Sequence, residues 1–151
     1  EEIGVAVEKS EDTIVIDGNR RARATNIFVA PYPGFPTDMQ SQFMAFLSIV
    51  PGTSTIRETI FENRFMQALE LMRMGADITI EGDAAIIKGV KKLSGAYLMA
   101  SDLRASAALV LAGLIAKGKT VVRRIYHLDR GYEKFEVKLR RLGALIKRQR
   151  E

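Results

Sequence analysis

Thr37-Asp38-Met39-Gln40 is answered further along the chain by Ser101-Asp102-Leu103-Arg104, and each stretch opens a small, apolar segment, Phe43 to Val50 and Ala107 to Ile115. The match continues in order. Pro51-Gly52-Thr53 aligns with Lys117-Gly118-Lys119, Thr55-Ile56-Arg57 with Val121-Val122-Arg123, Asn63-Arg64 with Asp129-Arg130, and Met74-Gly75-Ala76 with Leu142-Gly143-Ala144. The period is roughly 64 to 68 residues, longer than solenoid repeats. Gly4-Val5-Ala6-Val7 resembles the strand after Gly75, so a further copy contributes only its tail. The repeat reads as helix, strand, helix, then strands, an α/β (α+β) arrangement. It predicts residues 1–36 as the tail of a truncated unit, 37–100 as a second unit and 101–151 as a third. For the opening residues a plain hairpin also stays open, with Val5 to Val7 pairing with Thr13 to Ile16 through Ser10-Glu11-Asp12.

Local signals place the elements. Thr37, with Asp38 next and Gln40 three residues on, predicts a capping box before a helix reaching about Val50, and Ser101-Asp102 starts its counterpart. Thr53 to Ile60 and Lys119 to Tyr126 alternate and are rich in β-branched residues, which predicts strands. Phe61, Phe65, Leu69 and Met72, then Tyr132, Phe135, Leu139 and Leu142, recur at helical spacing before Gly75 and Gly143, which predicts core stripes. Met66, Met72 and Met74 are expected as gap-filling core atoms.

Of the 151 residues, 47% are hydrophobic and 27% charged, enough apolar material for a core and too much for a disordered tail. There is no cysteine and a single His127, so no disulfide, thiolate nucleophile, His-cluster metal site or cofactor is expected. No apolar run is long enough to span a bilayer, the longest being broken at Gly113 and Lys117. The chain opens Glu1-Glu2 without a charged-then-apolar leader, which leaves a cytoplasmic protein as the expectation. The net charge of +5 is concentrated at the C-terminus, where residues 117–151 hold 12 basic and 4 acidic groups. Lys138, Arg140, Arg141, Lys147, Arg148 and Arg150 lack interleaved aromatic residues for stacking bases, so a solvated helix face and tail is expected, with nucleic-acid binding the minor alternative.

Asp38 and Asp102 fall in first helical turns, where backbone N–H groups favour an ionised carboxylate. Arg64 and Arg130 lie just past strand ends, where loops of α/β units converge. Each Asp could be only a cap and each Arg only a surface cation. Against that, both copies keep Asp and Arg while most apolar residues change, and Arg104 adds a cation near Asp102. Arginines facing carboxylates suit a phosphorylated substrate and a hydroxyl partner.

Four motifs, Tyr32-Pro33-Gly34-Phe35-Pro36-Thr37-Asp38-Met39-Gln40, Glu58-Thr59-Ile60-Phe61-Glu62-Asn63-Arg64, Ser101-Asp102-Leu103-Arg104-Ala105 and Tyr126-His127-Leu128-Asp129-Arg130-Gly131-Tyr132-Glu133, occur in order. Together they resemble the C-terminal part of the UDP-N-acetylglucosamine 1-carboxyvinyltransferases, a family of enolpyruvyl transferases. The resemblance covers the chain from about Ala24 onward. The related shikimate-pathway transferases share the architecture but not this set of motifs. The resemblance implies a two-domain enzyme whose domains are each built from three βαβαββ units in an inside-out barrel, of which this chain would supply about two and a part.

The implied reaction moves the enolpyruvyl group of phosphoenolpyruvate to the 3-hydroxyl of UDP-N-acetylglucosamine and releases phosphate, the first committed step of peptidoglycan synthesis. By resemblance Asp38 is the candidate base at the sugar hydroxyl, and the backbone of Ile60 with Phe61 lines the uridine-sugar site. Arg130 would move onto phosphoenolpyruvate as the domains close, and Arg64, Asp102 and Arg104 would complete the charged wall. The family's cysteine acid and early lysine belong to its N-terminal part, so the chain alone is expected to be inactive and only marginally stable. The alternative is a non-catalytic anion or nucleotide-sugar binding module of the same fold. His127 either orients the Asp129-Arg130 turn or packs beside it, with packing preferred.

Overall fold

The computed structural model describes residues 2–19 and 21–149. Glu1 and the basic-tail residue Arg150 lie outside that range, as do Arg20 and Glu151. β1 (Ala6–Lys9) and β2 (Ile14–Asp17) form an antiparallel hairpin with Val7 opposite Ile16. The plain hairpin open to the first residues is thus formed, closed by Ser10 N–H donating to the Thr13 carbonyl at 2.9 Å.

The principal sheet has the order β3-β4-β6-β5, from β3 (Ile27–Phe28), β4 (Thr53–Arg57), β5 (Asp77–Glu81) and β6 (Ala84–Lys88). β3 and β4 are parallel, joined through helix α1 (Gln40–Leu47), while β6 runs antiparallel to both β4 and β5. A second parallel pair, β7 (Tyr97–Met99) and β8 (Val121–Arg123), is joined in the same way by α3 (Leu103–Ile115). Parallel neighbours require such a crossover, so the strand-helix-strand spacing of the sequence dictates the pairing. α2 (Met66–Arg73), α4 (Tyr126–Asp129) and α5 (Phe135–Arg141) complete the helices.

α3 packs against α1, α2 and α4. Ala105, Ala107, Ala108, Leu109 and Ala112 are all buried, and the small side chains let neighbouring helices approach from several sides. The core joins Met44, Leu47, Leu71 and Leu109 of the helices to Ile56, Ile78 and Ile87 of the sheet. Gly89 lies against the Val50 carbonyl where no Cβ fits, locking the end of β6 to the segment after α1. No helix among the described residues is long and apolar enough to cross a membrane.

Each of the two parallel pairs takes its first strand from residues ahead of its connecting helix: β3 lies before Thr37 and β7 before Ser101. The pairings therefore run across the 36/37 and 100/101 divisions read from the sequence. Strands of two and three residues carry no measurable alternation, whereas helix starts do.

Several local expectations are corrected. The capping box at Thr37 is not formed: Thr37–Met39 is a 3-10 turn, and neither it nor α1 has a side-chain cap. The strand from Thr53 stops at Arg57, and the strand from Lys119 narrows to Val121–Arg123, with Tyr126 opening α4. In the Phe61 stripe only Phe65 is buried; Phe61, Leu69 and Met72 are exposed, and α2 instead buries Gln67, Ala68 and Leu71. Met74 fills the core as expected, but Met66 and Met72 do not. In the later stripe Tyr132, Phe135 and Leu139 pack around Ala107, Val110 and Leu128, while Leu142 is exposed.

Candidate functional site

The two aspartates related by the repeat have different occupations. Asp102 has extended backbone (φ −154°, ψ 177°) and caps α3, its Oδ1 accepting from the N–H groups of Arg104 at 2.8 Å and Ala105 at 3.0 Å. Asp38 caps nothing. Its Oδ1 lies 2.8 Å from Arg104 Nη2 and 3.3 Å from Arg64 Nη2. The contact with the Arg104 guanidinium, opposed by partial burial and reinforced by the charges of Arg104 and Arg64, holds the Asp38 carboxyl below its ordinary range. Asp38 is therefore anionic at neutral pH, and the hydrogen bond it accepts among the described residues falls on Oδ1, not Oδ2.

Arg64 is fixed from several directions. Nη1 donates to Thr37 Oγ1 at 2.9 Å, the guanidinium carbon sits 4.6 Å from the Phe61 ring centroid, and its carbonyl accepts from Gln40 Nε2 at 3.5 Å. Planar stacking on an aromatic face with one arm on each of two oxygens is a use to which arginine, but not lysine, is suited. Beneath it Gln40 and Gln67, both fully enclosed, pair through Gln67 Nε2 to Gln40 Oε1 at 2.8 Å.

Glu58, quoted above only as part of a motif, proves to be buried where β4 ends. It accepts from Ile60 N–H at 2.9 Å, Phe61 N–H at 3.2 Å and the Thr37 hydroxyl at 2.7 Å. The amides of Ile60 and Phe61 are thus directed inward, while their side chains stay exposed.

Arg130 follows α4, is exposed, and makes no hydrogen bond or ion pair among the described residues. Its turn adjoins the same helix starts: a Cβ on Gly131 would meet Leu103 Cδ2 at 3.0 Å, and the Tyr132 hydroxyl receives Gln42 Nε2 at 3.4 Å. Arg148, expected as part of a solvated tail, instead grips Asp129 through two bonds of 2.9 and 2.6 Å. His127 lies with its ring centroid 4.3 Å from that of Tyr126. The structure thus joins Asp38, Arg64 and Arg104 directly, sets Asp102 at the head of the same helix as Arg104, and leaves Arg130 nearby and unpaired.

The sequence pattern of the EPSP synthase family (3-phosphoshikimate 1-carboxyvinyltransferase) matches residues 1–139. The chain belongs to this family. Within it, the chain is 60% identical over 145 residues to the UDP-N-acetylglucosamine 1-carboxyvinyltransferase of Thermodesulfovibrio yellowstonii, covering 96% of this chain and 35% of that protein. It is 59% identical over 151 residues to the enzyme of the same name from Geobacter metallireducens, covering 100% of this chain and 36% of that one. The chain spans about a third of the length of these curated relatives. The crystal structure of the enolpyruvyl transferase NikO from Streptomyces tendae superposes with a TM-score of 0.87 at 30% identity, over 97% of this chain and 34% of that one. The resemblance drawn from the four motifs and the expected fold are both met: this is an α/β segment of the enolpyruvyl-transferase fold.

Proposed function

We propose that this chain is part of an enzyme that transfers the enolpyruvyl group of phosphoenolpyruvate to the 3-hydroxyl of UDP-N-acetylglucosamine, releasing phosphate in the cytoplasm at the first committed step of peptidoglycan synthesis. The observation that carries the reading is the Asp38 carboxylate, held anionic by Arg104 and Arg64 with one oxygen free for a hydroxyl. Nearly 60% identity to enzymes of that name supports the choice of sugar nucleotide.

In this reading Asp38 Oδ2 accepts the 3-hydroxyl. The sugar oxygen bonds to C2 of phosphoenolpyruvate as its proton passes to Asp38, and a proton from an acid on another part of the enzyme reaches C3. The conjugate base of that acid then takes a proton back from the new methyl group as the C2–O bond to the phosphate breaks, and the phosphate leaves with the proton held by Asp38. A carboxylate with a depressed pKa is a weak base toward a free alcohol. The hydroxyl becomes a stronger acid as its lone pair is drawn into the new C–O bond, so the transfer belongs to bond formation and not to binding. Ile60 and Phe61 line the nucleotide-sugar side, Arg64, Asp102 and Arg104 form the wall, and the unpaired Arg130 serves the phosphate and carboxylate of phosphoenolpyruvate. The repeat division is proposed in the same frame, one βαβαββ unit running from β3 to β6 with parts of two others on either side, and with the N-terminal domain of the same enzyme as the partner.

The test is a chimera in which these 151 residues replace the matched third of the Geobacter metallireducens relative. Phosphate release that requires both substrates and drops at least a hundredfold in Asp38→Asn is expected, a loss of about 3 kcal/mol of transition-state stabilisation. The 151-residue chain alone, without the acid, is expected to release none. UDP-sugar binding with no turnover in the chimera would favour the non-catalytic binding module.

A further inference from the structure

We propose that Glu58 is the positioning residue of this site, setting the direction of the Thr37 hydroxyl and, through it, the seat of Arg64 on Asp38, while holding the Ile60–Phe61 loop. The kinetic half of the inference rests on the enolpyruvyl-transfer reading; the structural half does not.

Glu58 is 4% exposed. A carboxylate at that depth is tolerated only when donors saturate it, and three do: two backbone N–H groups on Oε1 and the Thr37 hydroxyl on Oε2. A hydroxyl has one proton. Because a carboxylate only accepts, that proton is committed to Glu58, and a Thr37 lone pair is left to receive Arg64 Nη1 at 2.9 Å. One arm of the guanidinium being fixed, the other meets Asp38 Oδ1 at 3.3 Å, beside Arg104 at 2.8 Å. Both cations thus meet the same carboxylate oxygen, Oδ1, and the second takes no hydrogen bond among the described residues. The same Glu58 oxygen that receives Ile60 and Phe61 fixes the loop whose aromatic ring lies against Arg64. Two halves of the site, the reacting carboxylate and the nucleotide-sugar wall, therefore share one buried anchor.

Glu58→Gln reverses the chain. If the amide oxygen keeps the two backbone donors, its NH2 faces Thr37, the hydroxyl proton loses its acceptor and must turn away, and the lone pairs of Thr37 then have to serve two donors, the amide and Arg64 Nη1, in place of one. Thr37→Val removes the relay at nearly constant volume, and Thr37→Ser retains it.

The first measurement is the carboxyl titration of Asp38 by 13C NMR in the 151-residue chain. Asp38 there faces Arg64 and Arg104, with Glu58 behind Thr37 and Asp102 at the start of α3. The midpoint is expected to rise in Glu58→Gln and Thr37→Val and to stay in Thr37→Ser; an unmoved midpoint in the first two overturns the proposal. The second is kinetics in the chimera, where Glu58→Gln is expected to raise KM for the UDP-sugar about tenfold with KM for phosphoenolpyruvate unchanged. Simple loss of folded enzyme lowers the rate and moves neither KM, and that result also overturns it. A chimera inactive with Glu58 intact refutes the transfer reading alone, since the titration still decides the role of Glu58. Should Glu58→Gln fail to fold, the Thr37 pair carries both measurements.

Discussion

Arg104, in the first turn of α3, reaches Asp38, in the turn before α1, with Nη2 2.8 Å from Oδ1. The ion pair links two copies of the repeat. Asp102 makes it possible by capping α3 and fixing where Arg104 emerges. The repeat partner of Asp38 thus supports the residue that pairs with Asp38.

Arg104→Gln is therefore expected to raise the Asp38 carboxyl midpoint toward the ordinary 3.8, since the Arg104 contact is the largest cause of its depression. A folded-state pKa below the unfolded one contributes stability that is present above 3.8 and lost as pH falls through the folded value. The Asp38 side chain is 57% exposed, so solvent screening keeps the loss below about 1 kcal/mol at neutral pH. NMR titration and urea unfolding at pH 7 and pH 3 check both; a variant destabilised equally at the two pH values counts against it.

The Gln40–Gln67 pair has no solvent to fall back on. Gln67→Leu leaves Gln40 Oε1 with only the Ser41 hydroxyl at 3.3 Å and is expected to cost about 1–3 kcal/mol. Gln40→Leu combined with Gln67→Leu removes both partners and is expected to cost less than the sum of the single changes. Additive losses by denaturant unfolding would show that the pair is not coupled.

How far the sequence shows its own fold can be read from α2. The helix-strand-helix order after Thr37 and after Ser101 was legible, because β-branched runs and the internal repeat carry local signals, whereas the pairing of Arg104 with Asp38 across the repeat was not. Nor was the buried face of α2. Phe61, Leu69 and Met72 share helical spacing, yet the helix begins only at Met66, and the core selects Ala68 and Leu71 together with a paired Gln67. Period alone does not say which apolar stripe a helix buries when two are available, and a satisfied glutamine reads as polar. Glu58 escaped although alternation puts it on the buried face with Ser54 and Ile56, because a glutamate past the end of a strand reads as solvated and the three donors that satisfy it come from other segments or the following loop.

The two stripes make a direct comparison. Leu71→Ala, at a fully buried position, is expected to lose about 2–5 kcal/mol. Leu69→Ala, 67% exposed, is expected to stay within about 0.5 kcal/mol. Thermal unfolding of both variants decides it, and a larger loss at Leu69 would mean that the outer stripe is covered in solution.

Arg148 holds the C-terminal segment against the turn that carries Arg130. Its guanidinium takes both Asp129 oxygens and reaches Glu136 Oε2 at 3.3 Å, while Ile146 packs beside Leu128. The bond to Arg148 lowers the Asp129 carboxyl, and the bond to Asp129 raises Arg148. By the same sign rule the clasp is present above 3.8 and lost as pH falls through the folded value of Asp129. The two side chains are 36% and 43% exposed, so screening limits global destabilisation in Arg148→Ala to below about 1 kcal/mol. The local effect is expected to be larger than the global one, because an unanchored segment opens without unfolding the core. Faster tryptic cleavage after Arg141 and Lys147, with an upward shift of the Asp129 midpoint and little change in Tm, is the expected result. Unchanged cleavage would mean that Ile146 alone holds the segment.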